Sequence, residues 1–255
     1  ASGIASKKVL KNKDIILLES KSQRVKFLRS KKFTVFKDIT DLKKVNTFQS
    51  IIIAVKPKDI SVLLSSLKLH ISKKTLVLSI AAGIKIITIS SLIGKDKSIG
   101  RIMPNTPCQI GKGVNVLTFN KNVDKTQKTL ANKIFSSIGR TLELKEEKFD
   151  LVTALSGSGP AYFCYLIESL AKSGIRLGLD GKTSLELALQ TGLGTLEMLS
   201  TSKDLTPEIL RQMVTSPNGT TQAAISTLQA NNFEELIFKA IKAAKDRSIE
   251  LGKGK

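Results

Sequence analysis

Short, continuous apolar runs, each closed by a polar residue or a helix breaker, recur through the first half of the chain. Ile15-Ile16-Leu17-Leu18 stops at Glu19-Ser20, and 33–36 is a second run of the same kind. Ile51-Ile52-Ile53-Ala54-Val55 is the clearest, ended by Lys56-Pro57, and Leu76-Val77-Leu78-Ser79-Ile80 runs into Ala81-Ala82-Gly83. Further runs lie at 98–103, closed by Pro104, at 114–119 and at 142–144. Helical periodicity occupies 22–30, 59–69 and 124–137. Apolar strands that alternate with helices predict a parallel sheet covered on both faces, with 51–55 as its central strand. That is a doubly wound α/β architecture of the dinucleotide-binding type.

From about Glu146 the strand signals stop. Helices are predicted over 162–177, 185–199, 207–214, 221–230 and 233–251, with Pro207 in a first turn. The first two are apolar on most sides. A helix of that kind is buried all round, and a segment of roughly 110 residues is too small to do this alone. The pattern therefore predicts a homodimer intertwined through the C-terminal half. With the junction near 144–150, the expected domains are 1–146, dinucleotide-binding, and 147–255, all-helical.

Composition narrows the class. The 255 residues are 41% hydrophobic, enough for a packed core. No apolar run reaches the ~20 residues that span a bilayer, and no signal-peptide pattern opens the chain, so a cytoplasmic protein without a membrane partner is expected. The net charge of +20 is spread over scattered lysines, with 5% aromatics and no Trp. It reads as a solvated surface able to attract anionic ligands rather than as a nucleic-acid site. One histidine, His70, and two distant cysteines, Cys108 and Cys164, offer no metal-ligand spacing. Chemistry is left to hydroxyls, backbone amides and a cofactor.

Candidate chemistry gathers in a few segments. In a sheet of this kind ligands bind beyond the carboxyl ends of the strands. Ala54-Val55-Lys56-Pro57 places a cation and a kink there, Ala81-Ala82-Gly83 allows close approach to the backbone, and Met103-Pro104-Asn105-Thr106-Pro107 is a rigid turn with an amide and a hydroxyl. In the helical half, Leu155-Ser156-Gly157-Ser158-Gly159-Pro160-Ala161-Tyr162 and Thr215-Ser216-Pro217-Asn218-Gly219-Thr220-Thr221 each precede an apolar helix. Read locally, the first is a loop in which Ser158 caps a helix with Pro160 in its first turn, and the second is a turn before a Thr-capped helix. Either arrangement also presents amides to an anion.

These segments, in this order, resemble the pyrroline-5-carboxylate reductase family, and the resemblance covers nearly the whole chain. It implies a Rossmann-type, mostly parallel sheet domain followed by an all-α dimerisation domain. It implies hydride transfer from NADPH or NADH to the cyclic imine of 1-pyrroline-5-carboxylate, giving L-proline. Substrate contacts would fall to Ser158, Ser216, Gly219, Thr220 and Thr221, with Thr221 on the ring nitrogen as the catalytic hydroxyl. Cofactor contacts would fall to Glu19, Ser20, Lys21, Ala54, Val55, Lys56, Pro57, Ala81, Ala82, Gly83, Asn105 and Thr106. Glu19, at a strand end, suits ribose hydroxyls and leans toward NADH, whereas Ser20, Lys21, Ser22 and Arg24 suit a 2′-phosphate. Asn218 departs from the family's usual glycine, a position where Asn tolerates left-handed angles. The family also opens with a strand and a Gly-rich loop. Here Ala1 to Ser6 reads as the helix that follows them, Gly3 alone does not make that fingerprint, and the complete protein is expected to carry both. Three alternatives stay open: a reductase of the 3-hydroxyacid dehydrogenase or ketopantoate type, which would rely on a catalytic lysine, although Lys172 and Lys182 lie in no segment of that type; a non-catalytic dimeric proline-binding protein; and nucleic-acid binding through the basic surface.

Overall fold

The computed structural model describes residues 2–6, 10–45 and 47–253. They form two compact units, one running to Ser158 and resuming at Ala244, the other Gly159–Ala243. The first holds α1 (Ser2–Ser6), β1 (Ile16–Leu18), α2 (Ser22–Ser30), β2 (Thr34–Phe36), β3 (Ser50–Ile53), α3 (Ile60–Leu67), β4 (Leu76–Ser79), α4 (Ile86–Ile93), β5 (Ser98–Met103), β6 (Gly113–Phe119), α5 (Lys125–Ser136), β7 (Gly139–Glu143) and α6 (Phe149–Val152). The second holds α7 (Gly159–Arg176), α8 (Gly181–Thr201), α9 (Pro207–Met213), α10 (Thr220–Ala230) and most of α11 (Phe233–Gly252).

Among the described residues the strands make two sheets, a parallel pair β1-β2 and a five-stranded sheet in the order β3-β4-β5-β6-β7. Two expectations change here. The central strand is β5, and β3 pairs only with β4 among the described residues. In addition, β6 runs antiparallel to β5, while every other pair is parallel. The connection explains the reversal. Residues 104–112 hold only a 3-10 turn, Thr106–Ile110, and a parallel return needs a crossover of a dozen or more residues.

Burial follows the pleat. Val77 and Ile99 face a core with Ile53, Leu64 and Ile89 from β3, α3 and α4, whereas Leu76, Leu78 and Ile102 face one with Ala131, Ile134 and Phe135 from α5. Each fully buried Leu or Ile contributes about 1.5–3 kcal/mol. Between β6 and α5, buried Asn115 donates from Nδ2 to the Phe135 and Arg140 carbonyls at 3.0 and 3.4 Å. Its Oδ1 accepts from Cys108 Sγ at 3.2 Å, which ties the 104–112 connection down. α5 opens on a capping box, in which Asp124 accepts from Gln127 N–H and the Gln127 side chain accepts from Asp124 N–H.

In the second unit, α7 and α8 form a hairpin pinned by Ser184 Oγ, which donates to the Ala171 carbonyl at 2.6 Å. Much of their apolar surface is uncovered in the isolated chain: Phe163 is 56% exposed, Leu189 55% and Leu193 58%. Among the described residues no helix is long and apolar enough to cross a membrane.

α8 is capped by Asp180, whose Oδ1 accepts from Lys182 and Thr183 N–H, both at 3.0 Å. Thr183, through side chain and backbone, holds the Asp180 carboxyl below its ordinary value of 3.8. A depressed carboxylate stabilises the fold above its unfolded value, and the contribution is lost as pH falls through the folded one. The melting-temperature gap between the natural chain and Asp180→Ala is therefore expected to shrink between about pH 6 and about pH 3. A gap independent of pH would refute the charged cap.

Candidate active site

The parallel register of β3, β4 and β5 aligns Ile53 with Ser79 and Ser79 with Arg101. The segments that follow these strands therefore leave the sheet side by side, at the edge where such sheets bind ligands. Ala54, Val55, Lys56 and Pro57 follow β3, with exposed Lys56 in extended backbone before a short 3-10 turn. Ala81, Ala82 and Gly83 follow β4, and Asn105 and Thr106 follow β5. Glu19, Ser20 and Lys21 instead follow β1, on the other sheet.

Two of these positions differ in detail from expectation. Gly83 has φ of 76°, and a Cβ there would lie 2.9 Å from the Gly252 backbone nitrogen. Its lack of a side chain thus admits the chain's own C-terminal helix, and Ala81 is buried in the core with Ile53 and Ile89, which leaves half-buried Ala82 as the small residue for a ligand. Glu19 is turned back on its loop, its Oε1 accepting from Lys21 N–H at 2.9 Å. Beside it, Lys21, Gln23, Arg24 and Phe27 line a recess of about 350 Å³.

The first Gly/Ser segment is not the expected loop. Residues Thr153–Gly157 form a π-helical turn that leads into α7, and Ser158 donates its N–H to the Thr153 carbonyl at 2.8 Å. Ser158 sits in helical backbone, φ −84° and ψ −17°, so it does not cap α7 and its amide is already engaged. What the segment brings to the sheet edge is Ser156. Its Oγ accepts from Asn105 Nδ2 at 3.5 Å, while Asn105 Oδ1 accepts from Val114 N–H at 2.9 Å. π turns of this kind recur at functional sites.

Sequence reasoning passed over one constellation. Arg101, on central β5, is 2% exposed, and its Nη1 lies 3.4 Å from Glu146 Oε1. The same oxygen accepts from Ile86 N–H, the first amide of α4, at 2.7 Å. The guanidinium carbon sits 4.9 Å from the centre of the Phe149 ring. Burial lowers the Arg101 pKa, opposed by the charges of Glu146 and Asp150. Asp150 accepts from Ser248 Oγ of α11 at 2.7 Å. The available signal was an arginine inside an apolar strand, which requires a counter-charge.

In the second unit, Gly219 N–H donates to the Ser216 carbonyl at 3.0 Å and closes a turn. Asn218 holds φ of 58° in that turn, with its N–H donated to Gln222 Oε1 at 2.6 Å. A Cβ on Gly219 would overlap Ser216 Oγ. The Gly219 amide, expected to receive a carboxylate, is thus committed to the turn. The amides of Thr220, Thr221 and Gln222 open α10 and have no acceptor within the helix. Exposed Ser216 and half-buried Thr221 flank them with hydroxyls.

A doubly wound sheet with its loops at the carboxyl ends of parallel strands, succeeded along the chain by helices, defines the class of Rossmann-type dinucleotide-dependent proteins. Residues 146–251 match the family model described as pyrroline-5-carboxylate reductase dimerisation. The chain is 41% identical to the pyrroline-5-carboxylate reductase of Pseudomonas aeruginosa over 202 residues, 79% of this chain and 74% of that protein. It is 36% identical to the Synechocystis enzyme over 250 residues, 98% and 92% respectively. The crystal structure of Plasmodium falciparum pyrroline carboxylate reductase with NADP bound superposes with a TM-score of 0.88 at 32% identity, covering 99% of this chain and 92% of that one. The chain belongs to the pyrroline-5-carboxylate reductase family.

The turn before α10 yields a direct test. Asn218→Gly is expected to leave thermal stability unchanged, whereas Asn218→Val forces a β-branched residue to positive φ and costs about 1–2 kcal/mol. Chemical denaturation measures both, and a neutral valine variant would show that the left-handed turn is not required.

Proposed function

We propose that the chain is a pyrroline-5-carboxylate reductase that delivers hydride to the imine carbon of 1-pyrroline-5-carboxylate, C2 of the ring and the δ carbon of the product, and yields L-proline, the closing step of proline biosynthesis. The observation that carries the reading is the side-by-side exit of the β3, β4 and β5 loops in a chain of this family. The residues fit a dinucleotide: small Ala82 admits a flat ring, Asn105 and Thr106 offer polar contacts, and Lys56 offers a cation. Reduced nicotinamide, when bound, supplies the hydride.

The chain's own residues bind and orient. The amides of Thr220 and Thr221 with Ser216 Oγ receive the substrate carboxylate at the start of α10, where the helix dipole favours an anion. Thr221 Oγ1 holds the ring nitrogen, which ends the reaction protonated. A protonated iminium is already electrophilic, so positioning suffices without a strong acid.

Glu19 is engaged by the Lys21 amide, and Lys21 and Arg24 flank the neighbouring recess. This supports NADPH over NADH, because two cations suit a 2′-phosphate. Uncovered apolar faces on α7 and α8, in a segment matching a dimerisation family, support an intertwined homodimer. The free thiols Cys108 and Cys164 fit a reducing cytoplasm, and the lysine-rich surface is read as solvated rather than as a nucleic-acid site.

NADPH oxidation with pyrroline-5-carboxylate, followed by proline detection, tests the activity. Oxidation with a 3-hydroxy acid product instead would reassign it. Thr221→Val is expected to lower kcat about ten- to hundredfold with NADPH affinity unchanged; an unaltered kcat would remove the hydroxyl from the mechanism. Replacing Lys21 and Arg24 by alanine is expected to weaken binding of 2′,5′-ADP about tenfold or more and spare 5′-AMP. Equal loss for both nucleotides would argue against a 2′-phosphate subsite.

A further inference from the structure

We propose that Glu146 is a positioning residue for the reduced cofactor: it caps α4 from a distant part of the chain and so fixes the 81–85 loop, with buried Arg101 holding its carboxylate in place. The proposal rests on the reading that the loop carrying half-buried Ala82 faces the cofactor.

The loop is short, and its two ends are held differently. At its start, Ile80 N–H donates to the Ile53 carbonyl at 3.0 Å and Ala81 N–H donates to Ser79 Oγ at 3.3 Å, so β4 secures it. At its far end, α4 begins with Lys85 at the cap position, which makes no side-chain capping bond, and no acidic residue lies in the first turn. An uncapped helix start leaves amides without acceptors and frays. Glu146, 60 positions along the chain, supplies the missing acceptor to Ile86 N–H at 2.7 Å. Arg101, buried beneath it, contacts the same oxygen. A capping carboxylate clamped by a buried cation leaves the loop less freedom than a solvated Ser or Asp cap would. Gly83 meets Gly252 on its other side, so the segment is held at both ends and along its length.

The test compares the natural chain with Glu146→Gln, which keeps an acceptor oxygen, and Glu146→Ala, which does not. Hydrogen exchange reports the cap, and NADPH titration and steady-state kinetics report positioning. The Ala variant is expected to exchange the Ile86 amide about tenfold faster, with the Ile209 amide, capped by Thr206 on α9, unchanged. Its Kd for NADPH is expected to rise about fivefold, with KM for the imine within about twofold, and Gln is expected to recover most of both losses.

Faster exchange at Ile86 with unaltered NADPH affinity would overturn the proposal, leaving the cap purely structural. A Gln variant that melts at the same temperature as the natural chain yet binds NADPH as weakly as Ala would overturn it too, because the acceptor oxygen would then not matter to the cofactor. If the natural chain bound no NADPH, the functional reading would fall and this proposal with it; the exchange data would still separate that failure from failure of the cap. Should Glu146→Ala not fold, Glu146→Asp, one methylene short of Ile86, is judged by the same outcomes.

Discussion

A buried guanidinium in the central strand is the constraint around which the first unit is organised. Arg101 is 2% exposed, between Ser79 of β4 and Thr118 of β6, and removing its charge from water costs several kcal/mol unless it is paired. Its counter-charge comes from Glu146, beyond the last strand, with Phe149 against its face and Asp150 adding negative potential. Nη2 meets no acceptor among the described residues, so the pairing is incomplete. An arrangement of this cost is better understood as specifying position than as adding stability. It requires the segment after β7 to return over the sheet beside the start of α4. It also brings Asp150 within reach of Ser248, so the end of α11 is fastened to the same place.

The strand ends depend on that arrangement only in part. Their alignment comes from right-handed parallel crossovers through α3 and α4, a topology that hydrophobic periodicity already implies. The short Pro-rich connection after β5 then does two things. It turns β6 back antiparallel, and it holds Asn105 at the edge by a bond to Val114 on the returning strand. The π turn, one residue per turn wider than an α-helix, delivers Ser156 to Asn105. A polar pair thus stands beside the small residues of β4, built from segments about fifty positions apart in the chain.

Sequence patterning made the strands and helices legible because β3 and β4 are nearly continuous Ile/Val/Leu runs, β5 and β6 are apolar runs closed by breakers or interrupted by single polar residues, and each helix has its own period. It also picked out the candidate segments, since Gly, Pro, Asn and Ser stand out after such runs. Strand direction was not legible at β6, where connection length and not composition decides it. Nor was the engagement of amides: whether Gly219 or Ser158 has a free N–H depends on which carbonyl the backbone brings near. The Arg101–Glu146 pair was half visible, an arginine in an apolar strand, but its partner lies 45 residues away and only the fold selects Glu146 over adjacent Glu147.

On the proposed reading, the two candidate binding regions hold an anion by different means. Around α2, side-chain cations Lys21 and Arg24 supply the charge, a solution suited to a doubly charged phosphate in contact with solvent. At α10, no lysine or arginine lies in the turn, and helix amides and hydroxyls take over. That choice has a chemical consequence. A lysine or arginine near the imine nitrogen would oppose protonation of the ring, since like charges disfavour each other at short range. Neutral donors at that turn would bind a carboxylate without raising the local positive potential as a full cation would, which suits the iminium proposed as the electrophile. A turn of Ser, Pro, Asn and Gly followed by two threonines therefore suits an anion whose neighbouring atom must become positive.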